Sequence, residues 1–411
     1  MNQTIRSRIE QIKRGEIPEG YEKTPFGIFP CDWGKSTLKK LGEFAKGKGI
    51  PGEKMKNEGI PCVGYGDIYM KYNYHFNQTK SFIDRTTADE SIQVGRNTLL
   101  FTGTGETAEE IGKCVCYTGS DDIYVGGDII IFNSVDVSPI FISYQQYLPF
   151  AIKQKAGFGQ GHSVVHIYKS DLEKLYCAYP KSKAEQEKIA EILQEQDRLI
   201  ELKEKLIEEK KKQKQYLMEV LLTGKVRLPG FSYEWQSFRL GDICIIKKGE
   251  QLNKNCLLSE GEFAVINGGT TASGYYDMFN RDENTISISE GGNSCGYIAF
   301  NENKFWSGGH CYTLHEINMQ IDLFYLFYYL KSHEKEIMDL RVGSGLPNIQ
   351  LSAIKNFIVQ APNRRVQEKI AEILNSINSL ILSLQKELEE QKRKKQSLMQ
   401  LLLTGIVRVK A

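Results

Sequence analysis

The sequence predicts an α+β fold: two mixed α/β domains separated by a pair of long antiparallel coiled-coil helices, with pseudo-twofold, circularly permuted halves. The first observation is that QEKIAEIL occurs at residues 186–193 and again at 367–374. The match extends without a gap over 186–227 and 367–408, with 24 identities in 42 positions. The second is that segments rich in Gly, Tyr, Asn and Thr precede each copy. The third is an N-terminus that resembles a shortened end of the repeat.

Each copy of the repeat predicts one long helix that ends at a C-cap glycine, Gly224 or Gly405. The second copy predicts a coiled-coil seam of apolar residues at sevenfold spacing with a flanking row, namely Ile370, Ile377, Leu384, Gln391 and Leu398, flanked by Ile373, Leu380 and Leu401. The first copy keeps a weaker stripe, interrupted by Lys203, Lys210 and Gln213, at Ile189, Ile192, Leu199, Leu206, Leu217 and Val220. Two such stripes in one chain favour antiparallel pairing, and the alternative is that each helix packs on its own domain.

The two segments outside the repeats predict α+β domains with short strands. These strands are expected at Thr98–Phe101, Lys113–Tyr117, Asp128–Phe132, Ile286–Ser289 and Tyr297–Phe300. The two domains resemble each other weakly in the order of their motifs. Trp33 and Trp235 each precede a Leu-Gly-acid triplet, and Gly126-Gly127-Asp128 corresponds to Gly308-Gly309-His310. Each domain then closes on a glycine turn, a strand that contains an isoleucine, and a proline, namely Gly161, Ile167 and Pro180 in one and Gly345, Ile349 and Pro362 in the other.

The beginning of the chain resembles the end of the repeat followed by the start of a domain. Residues 8–21 and residues 217–231 both run from a helix end through a glycine to a glycine and an aromatic residue. We therefore expect the two termini to lie close together. The predicted organisation is an N-terminal helical segment, a domain, a helical spacer, a second domain and a second spacer, at residues 1–22, 23–181, 182–227, 228–362 and 363–411.

Composition limits the function classes. The 53 basic and 51 acidic residues leave a net charge of +2, so a nucleic-acid surface has to be a local patch. No apolar run approaches the roughly 18–20 residues of a membrane helix, and no signal peptide is apparent. The nine cysteines contain no CxxC pair, which predicts buried, reduced thiols. We expect a cytoplasmic protein that does not contact membranes.

The catalytic motifs in the sequence lack the context that their chemistry needs. Residues 101–108, FTGTGETA, match GxGxxA, but only a few residues separate this loop from Gly112 and the next predicted strand, where a dinucleotide fold requires a helix. No Asn/Asp-Pro-Pro-Tyr tetrad, nuclease spacing or set of four metal ligands occurs. We predict no catalytic residue and no metal or other cofactor in this chain.

The domain loops carry cations, amphipathic rings and small polar side chains, the residue types that contact phosphates and base edges. Alternating tyrosines also pack sheets, so a structural role remains open for many of them. The predicted DNA-binding residues are Lys46, Lys48, Tyr65, Lys71, Tyr72, Thr102 and Thr104 in the first domain, and Lys247, Asn267, Thr270, Tyr275, Asn293 and Ser294 in the second.

Taken together, these motifs resemble the specificity subunits of type I restriction–modification systems. The resemblance rests on Glu185-Gln186 and Val366-Gln367 at the two helix starts, on the LLTG sequences that end both helices, and on the paired tryptophan and glycine-loop motifs. It covers essentially the whole chain. Two departures from the pattern are the unequal domains and the polar seam of the first helix.

The resemblance implies a non-catalytic subunit in which each domain is a target recognition domain for one half of a bipartite double-stranded DNA sequence. It implies two modification (methyltransferase) subunits docked on the helices, and restriction subunits as further partners. S-adenosylmethionine, ATP and Mg²⁺ belong to those partners. For partner contact we predict the outer faces of the helices and the leucines of the two LLTG ends, namely Leu221, Leu222, Leu402 and Leu403.

Two other classes of function remain open from the sequence. One is a nuclease with an unfamiliar site, which would cut DNA as a purified chain with Mg²⁺. The other is a coiled-coil scaffold whose two domains bind protein or carbohydrate, which would have no salt-dependent affinity for DNA.

Overall fold

A computed structural model describes residues 3–161, 164–229, 234–343, 345 and 347–410. The chain divides into two compact units. The first unit comprises Met1–Leu202 and Leu388–Ala411, and the second comprises Lys203–Glu387. Both units mix strands and helices, as the α+β prediction requires.

The helices include two of 40 residues, and these are the predicted repeats. In chain order the helices are α1 (Gln3–Lys13), α2 (Tyr65–Met70), α3 (Arg85–Asp89), α4 (Pro139–Gln145), α5 (Pro149–Phe158), α6 (Lys169–Leu172), α7 (Lys183–Leu222), α8 (Leu240–Ile243), α9 (Leu323–Ser332), α10 (Glu334–Met338), α11 (Leu351–Lys355) and α12 (Arg364–Leu403).

The strands are short, and the five that the sequence predicts are all present. In the first unit they are β1 (Tyr21–Thr24), β2 (Gly27–Pro30), β3 (Gly34–Thr37), β4 (Gly42–Lys46), β5 (Ile60–Val63), β6 (His75–Phe76), β7 (Ser81–Ile83), β8 (Ile92–Val94), β9 (Thr98–Thr102), β10 (Thr104–Gly105), β11 (Cys114–Tyr117), β12 (Ile123–Val125), β13 (Ile129–Ser134), β14 (Val165–His166) and β15 (Tyr176–Tyr179). In the second unit they are β16 (Gln236–Arg239), β17 (Ile245–Lys248), β18 (Phe263–Ile266), β19 (Tyr275–Tyr276), β20 (Thr285–Ser289), β21 (Ile298–Asn301), β22 (Phe305–Ser307), β23 (Cys311–His315) and β24 (Ile358–Ala361).

The main sheets of the two units share the order of four strands, and the first has one strand more, β6. The first unit orders its strands β4-β13-β9-β11-β6, and the second orders them β17-β23-β20-β21. The registers also correspond, since Ile130 lies opposite Lys46 in one sheet and Tyr312 lies opposite Lys248 in the other. A smaller sheet accompanies each, β7-β5-β12-β8 and β19-β18-β22. The weak internal resemblance in the sequence therefore reflects a shared domain fold.

The two long helices run antiparallel within the first unit. Gln196 Nε2 donates to Gln391 Oε1 at 3.0 Å, and the Lys395 ammonium pairs with the Asp197 carboxylate. The same ammonium lies over the Tyr74 ring, 3.3 Å from its centroid. Burial lowers the pKa of Lys395 despite the neighbouring carboxylate. A buried lysine is thus held between an acid and an aromatic ring.

The helices also run antiparallel within the second unit. Lys203 Nζ lies 2.7 Å from Glu387 Oε2, and Lys214 Nζ lies 2.6 Å from Asn378 Oδ1. Residues 197 and 395 of the first unit correspond to residues 378 and 214 of the second by the 181-residue offset of the repeat. The repeat therefore makes the same lysine bridge twice, with an ionic partner in one unit and a neutral partner in the other.

The predicted seam is confirmed in its sevenfold row and wrong in its flanking rows. Ile370, Ile377 and Leu384 are buried, whereas Ile373 and Leu380 are exposed. The buried flanking residues are Leu374, Ile381 and Leu388. In a heptad the second apolar position follows the first by three or by four residues. Apolar residues stand at both spacings here, so the sequence pattern does not identify which flanking row is buried. For the same reason Leu199 and Leu206 of α7 are exposed, while Leu193 and Ile207 are buried.

A buried glutamine attaches each domain to a long helix. Gln186 Nε2 donates to Pro180 O at 2.8 Å, and its Oε1 accepts from Ser138 N at 2.7 Å. Gln367, at the matching position, donates to Pro362 O at 2.8 Å and accepts from Asp322 N at 2.8 Å. All four partners are main-chain atoms at a strand end or a helix start. This explains why both copies of the repeat begin with glutamine.

The helix ends also dock on the domains. Gly224 and Gly405 have positive φ angles of 68° and 71°, as predicted for C-cap glycines. They face Trp235 and Trp33, respectively. The leucines of the two LLTG ends are buried in the cores of the second and first units. The predicted role of Leu221, Leu222, Leu402 and Leu403 in partner contact is therefore wrong, because these side chains already face the domain cores.

The two ends of the chain meet in the first unit, as predicted. Arg8 Nη1 donates to Ile406 O at 2.5 Å, and the Tyr21 hydroxyl donates to Gly405 O at 2.6 Å. Arg408 forms a bidentate pair with Glu185 at 2.7 and 2.8 Å and also contacts Asp32. The N-terminal segment thus packs against the end of the second repeat.

The sequence also predicts that no helix spans a membrane and that the cysteines are buried. No helix among residues 3–161, 164–229, 234–343 and 347–410 is both long and apolar enough to cross a membrane. Seven of the nine cysteines are buried, but Cys31 and Cys256 are exposed, so the prediction of burial is wrong for these two.

Lys155 of α5 is buried at 4% exposure with its ammonium donating to Gly112 O at 3.0 Å. Burial lowers its pKa to about 8, from 10.5 in the unfolded chain. Between these values the unfolded chain binds more protons, so this lysine makes stability rise with pH over that window. We expect Lys155→Met to raise the unfolding free energy at pH 7 by on the order of 2 kcal/mol and to remove that rise.

Chemical denaturation between pH 7 and pH 10 checks this prediction. Lys153→Met, at an exposed position of the same helix, is the matched control and should keep the parental pH profile. A parental profile in Lys155→Met would contradict the expected role of the buried charge.

Candidate nucleic-acid interface

Three backbone hydrogen bonds, which occur in both units, hold the loops together at one end of each main sheet. In the first unit, Gly103 N donates to Asp128 O at 2.8 Å, and Ile167 N donates to Gly103 O at 3.0 Å. Gly47 N donates to Ile129 O at 2.9 Å. We call this end the loop edge of the first unit, and it comprises residues 46–48, 102–104, 126–128 and 166–169.

The loop edge of the second unit comprises residues 248–250, 289–291, 308–310 and 348–350. Glu290 N donates to His310 O at 2.9 Å, and Ile349 N donates to Glu290 O at 2.8 Å. Gly249 N donates to Cys311 O at 2.8 Å. The framework of each loop edge is therefore the same, whereas the side chains that it presents differ.

Glycine is required where the first strand of each sheet enters the loop edge. A Cβ on Gly47 would lie 2.0 Å from Gly126 O, and a Cβ on Gly249 would lie 2.2 Å from Gly308 O. Two chain segments approach each other too closely here for any side chain. Each of these close contacts fixes the position of the lysine that precedes the glycine, Lys46 or Lys248, at the loop edge.

The loop edge of the first unit borders an open cleft of about 520 Å³. Lys46 is exposed at its rim, and its ammonium has neither an ion pair nor a hydrogen bond among the residues that the structure describes. Thr104 Oγ1 lies 3.4 Å from His166 Nδ1 on the cleft wall. Tyr168 and Lys169 also line the cleft, with the Lys169 ammonium 2.9 Å from Phe44 O. The other polar residues of the lining are Asp128, Ser170 and Glu173.

The loop edge of the second unit contains a network of charged side chains. Lys248 Nζ lies 2.6 Å from Glu290 Oε1, and the Tyr312 hydroxyl donates to the same oxygen at 3.0 Å. His310 Nδ1 lies 3.9 Å from Glu290 Oε2. Burial and the Glu290 carboxylate raise the pKa of Tyr312, so its hydroxyl remains a donor. Asn267 Oδ1 accepts from His310 N at 3.2 Å.

The structure brings some predicted site residues to the loop edges. Lys46, Lys48 and Thr104 lie at the first, and Asn267 contacts the second. Asn293 and Ser294 follow Gly291 in the loop after β20, with Asn293 exposed. Thr270 is exposed in the loop between β18 and β19.

Other predicted residues lie elsewhere. Tyr65 is exposed at the start of α2, and Tyr275 is exposed on β19. Lys71 pairs with the buried carboxylate of Asp67 at 2.7 Å. Lys247 lies on the opposite face of β17 from Lys248, because successive strand residues point to opposite faces.

Two predicted residues are buried. Tyr72 is 5% exposed, stacks on Phe76 and accepts a hydrogen bond from Lys80 N, and burial raises its pKa to about 12. Thr102 is fully buried, 2.8 Å from the Tyr69 hydroxyl. These are core positions, so their side chains do not reach the surface where DNA would bind, and the prediction that they contact DNA is wrong.

Sequence reasoning missed four residues at the loop edges: His166 and Lys169 in the first unit, and Lys248 and Glu290 in the second. Lys248 was identifiable by aligning Lys46-Gly47 with Lys248-Gly249. Within the described parts of the chain, no group of three His, Cys, Asp or Glu side chains has the arrangement of a metal site.

The chain matches the family described as the type I restriction modification DNA specificity domain over residues 30–211 and 233–392. A putative type I specificity subunit from Mycoplasma pneumoniae is 39% identical over 136 residues, which are 33% of this chain and 36% of that protein. A putative one from Mycoplasma genitalium is 33% identical, over 38% of this chain and 40% of that protein. These two matches thus span about two fifths of each relative.

Longer similarities also occur. A putative type I restriction enzyme specificity subunit from Methanocaldococcus jannaschii is 25% identical over 95% of this chain and 97% of that protein. Among solved structures, the S subunit of a type I restriction–modification system from M. genitalium has a TM-score of 0.64 at 21% identity, covering 90% of this chain and 96% of that one. A chain from a study of type I system assembly has a TM-score of 0.58 at 15% identity, covering 92% and 99%. These structures share the fold.

Proposed function

This chain belongs to the family of type I restriction–modification DNA specificity domains, and from that premise we propose how it reads DNA. Each recognition domain reads one half of a bipartite double-stranded target through its loop edge. The chain itself performs no catalysis. Methylation and cleavage are carried out by modification and restriction subunits, which bind S-adenosylmethionine, ATP and Mg²⁺.

The observation that carries this proposal is the repeated loop edge. Both units build it with the same backbone hydrogen bonds and the same close glycine approach. One presents a lysine beside a cleft, with no ion pair in the described part of the chain, and the other presents a Lys-Glu-His network. A shared framework with different exposed donors and acceptors is what two half-sites of unlike sequence require, because bases differ in the pattern of donors and acceptors at the groove edge.

For the modification subunits we propose the exposed apolar faces of α7 and α12. Leu199 and Leu202 are exposed in the first unit. In the second unit the exposed set is Leu206, Ile373, Leu380 and Leu382. Leu199 and Leu202 lie three residues apart on α7, and Ile373 and Leu380 lie seven residues apart on α12, so each pair shares one helix face. Exposed apolar pairs of this kind on otherwise charged helices favour a surface that a protein partner covers.

The test is selection from randomised double-stranded DNA by the chain assembled with its methyltransferase subunits. We expect two short fixed sequences separated by an unspecified spacer. Lys46→Ala should weaken recognition of one half-site about tenfold and leave the other intact, since a side-chain contact to a base edge is worth about 1–3 kcal/mol. Lys153→Ala, an exposed lysine of α5, is the matched control.

A selection that returns one uninterrupted sequence, or none, would contradict the proposal and favour a scaffold with domains that bind other ligands. Incubation of the purified chain with DNA and Mg²⁺ is the accompanying assay. Cleavage there would refute the assignment of catalysis to the partners.

A further inference from the structure

Glu290 occupies the position in the second loop edge that Gly103 occupies in the first. Each residue donates its N–H to the corresponding loop, to Asp128 O from Gly103 and to His310 O from Glu290. Each also accepts at its carbonyl from the isoleucine that closes the domain, Ile167 or Ile349. Four matching backbone contacts, two in each unit, establish the equivalence. The two recognition domains therefore differ by a whole carboxylate side chain at one point of a shared framework.

The Glu290 carboxylate is held in place, but part of its capacity to accept hydrogen bonds is unused. Its side chain is 12% exposed, and Oε1 accepts from both Lys248 and Tyr312. Among the described residues, Oε2 receives no hydrogen bond, and the His310 ring lies beside it, with Nδ1 3.9 Å away. One oxygen is thus fixed by the protein, whereas the other retains acceptor capacity in a side chain that is only partly exposed.

The charge of Glu290 is offset where DNA phosphates would otherwise repel it. Lys248, 53% exposed, pairs with the carboxylate directly. In the first unit the equivalent lysine, Lys46, has no acidic partner in the described chain, and Gly103 leaves the cleft beside it open. The first loop edge presents a donor at this point, and the second presents an acceptor within a neutral pair.

We propose that Glu290 is a specificity-determining residue whose Oε2 accepts a hydrogen bond from the exocyclic N4 amine of a cytosine in the second half-site. This inference rests on the proposed function. Cytosine is the base that fits an acceptor-only carboxylate, because its major-groove edge offers the N4 amine without an adjacent acceptor. Adenine places its N7 acceptor beside the N6 amine, where it repels a carboxylate. Guanine and thymine present acceptors at the equivalent edge.

The experiment repeats the DNA selection with the assembled complex carrying Glu290→Met or Glu290→Gln. Methionine keeps the length of the side chain but removes the acceptor, so preference for cytosine at one position of the second half-site should fall about tenfold. Glutamine offers a donor and an acceptor together, the pattern that suits adenine, so E290Q should shift that position from cytosine toward adenine. The first half-site should stay unchanged in both variants.

Glu302→Met is the matched control, since it removes an exposed glutamate of the same unit. If E290M fails to fold, the shape-conserving E290Q variant decides the question. Unchanged base preferences throughout the second half-site in E290Q would overturn the inference, and would mean that Glu290 only holds Lys248. A parental chain that selects no bipartite target would refute the proposed function instead, so the two failures are distinguishable.

Discussion

Replacing Gly47 by alanine is expected to eliminate recognition of the half-site that we propose the first domain reads, and to lower that unit's unfolding free energy by about 3 kcal/mol. The added Cβ would lie 2.0 Å from Gly126 O and 3.2 Å from Ile129 O. Both contacts are with main chain, which cannot rotate away as a side chain can. The strand and the glycine loop must therefore separate, and Lys46 moves with them.

Thermal or chemical unfolding and DNA selection measure the two effects in the same protein. Gly66→Ala is the control, because a Cβ there meets nothing within 4 Å. This control should be neutral or slightly stabilising, since Gly66 lies in helix α2. If Gly47→Ala retains both half-sites, the close approach is not needed to shape the loop edge.

The second large effect is expected from Lys395→Met, which removes the cation between Asp197 and the Tyr74 ring. The Asp197 carboxylate would keep the Tyr144 hydroxyl, 2.6 Å away, and the His75 ring, whose Nε2 lies 3.9 Å away. Leaving a partly buried charge uncompensated should cost about 2 kcal/mol, a value reduced from that of a fully buried pair because Asp197 is partly exposed.

The repeat supplies the control for this prediction. Lys214→Met removes the equivalent lysine of the second unit, where the partner is the neutral amide of Asn378. Its cost should stay below about 1 kcal/mol, the usual value of one neutral hydrogen bond. Denaturant titrations of the two variants give the comparison, and equal losses would show that the ionic partner contributes nothing beyond the lysine itself.

The sequence predicted the elements that repeat or alternate clearly. Both 40-residue helices, their C-cap glycines and the five proposed strands follow from periodicity and from glycine placement, which are local properties. The meeting of the termini followed from the likeness of the N-terminal segment to the end of the repeat. These predictions did not depend on knowing which face of an element turns inward.

The site residues were harder to predict, because the direction in which each side chain points decides whether it reaches the loop edge. Tyr72 belongs to the chain leaving α2, where its spacing from other tyrosines carries no information about burial. Lys247 and Lys248 are adjacent, and only the strand register determines which one reaches the loop edge. Glu290 acquires its environment from Lys248, His310 and Tyr312, which come from two other strands and a loop. Contacts between residues that are distant in the sequence cannot be predicted from a local sequence pattern.

The glutamines that hold each domain to its helix bond only to main-chain nitrogen and oxygen atoms. A joint of this kind specifies a backbone position and no particular amino acid. The residues of the two loop edges take no part in these hydrogen bonds, so they can vary without loosening them. The long helices thus offer the same backbone attachment to both domains. Binding preferences can change through replacement of a domain while the helix that carries it stays the same.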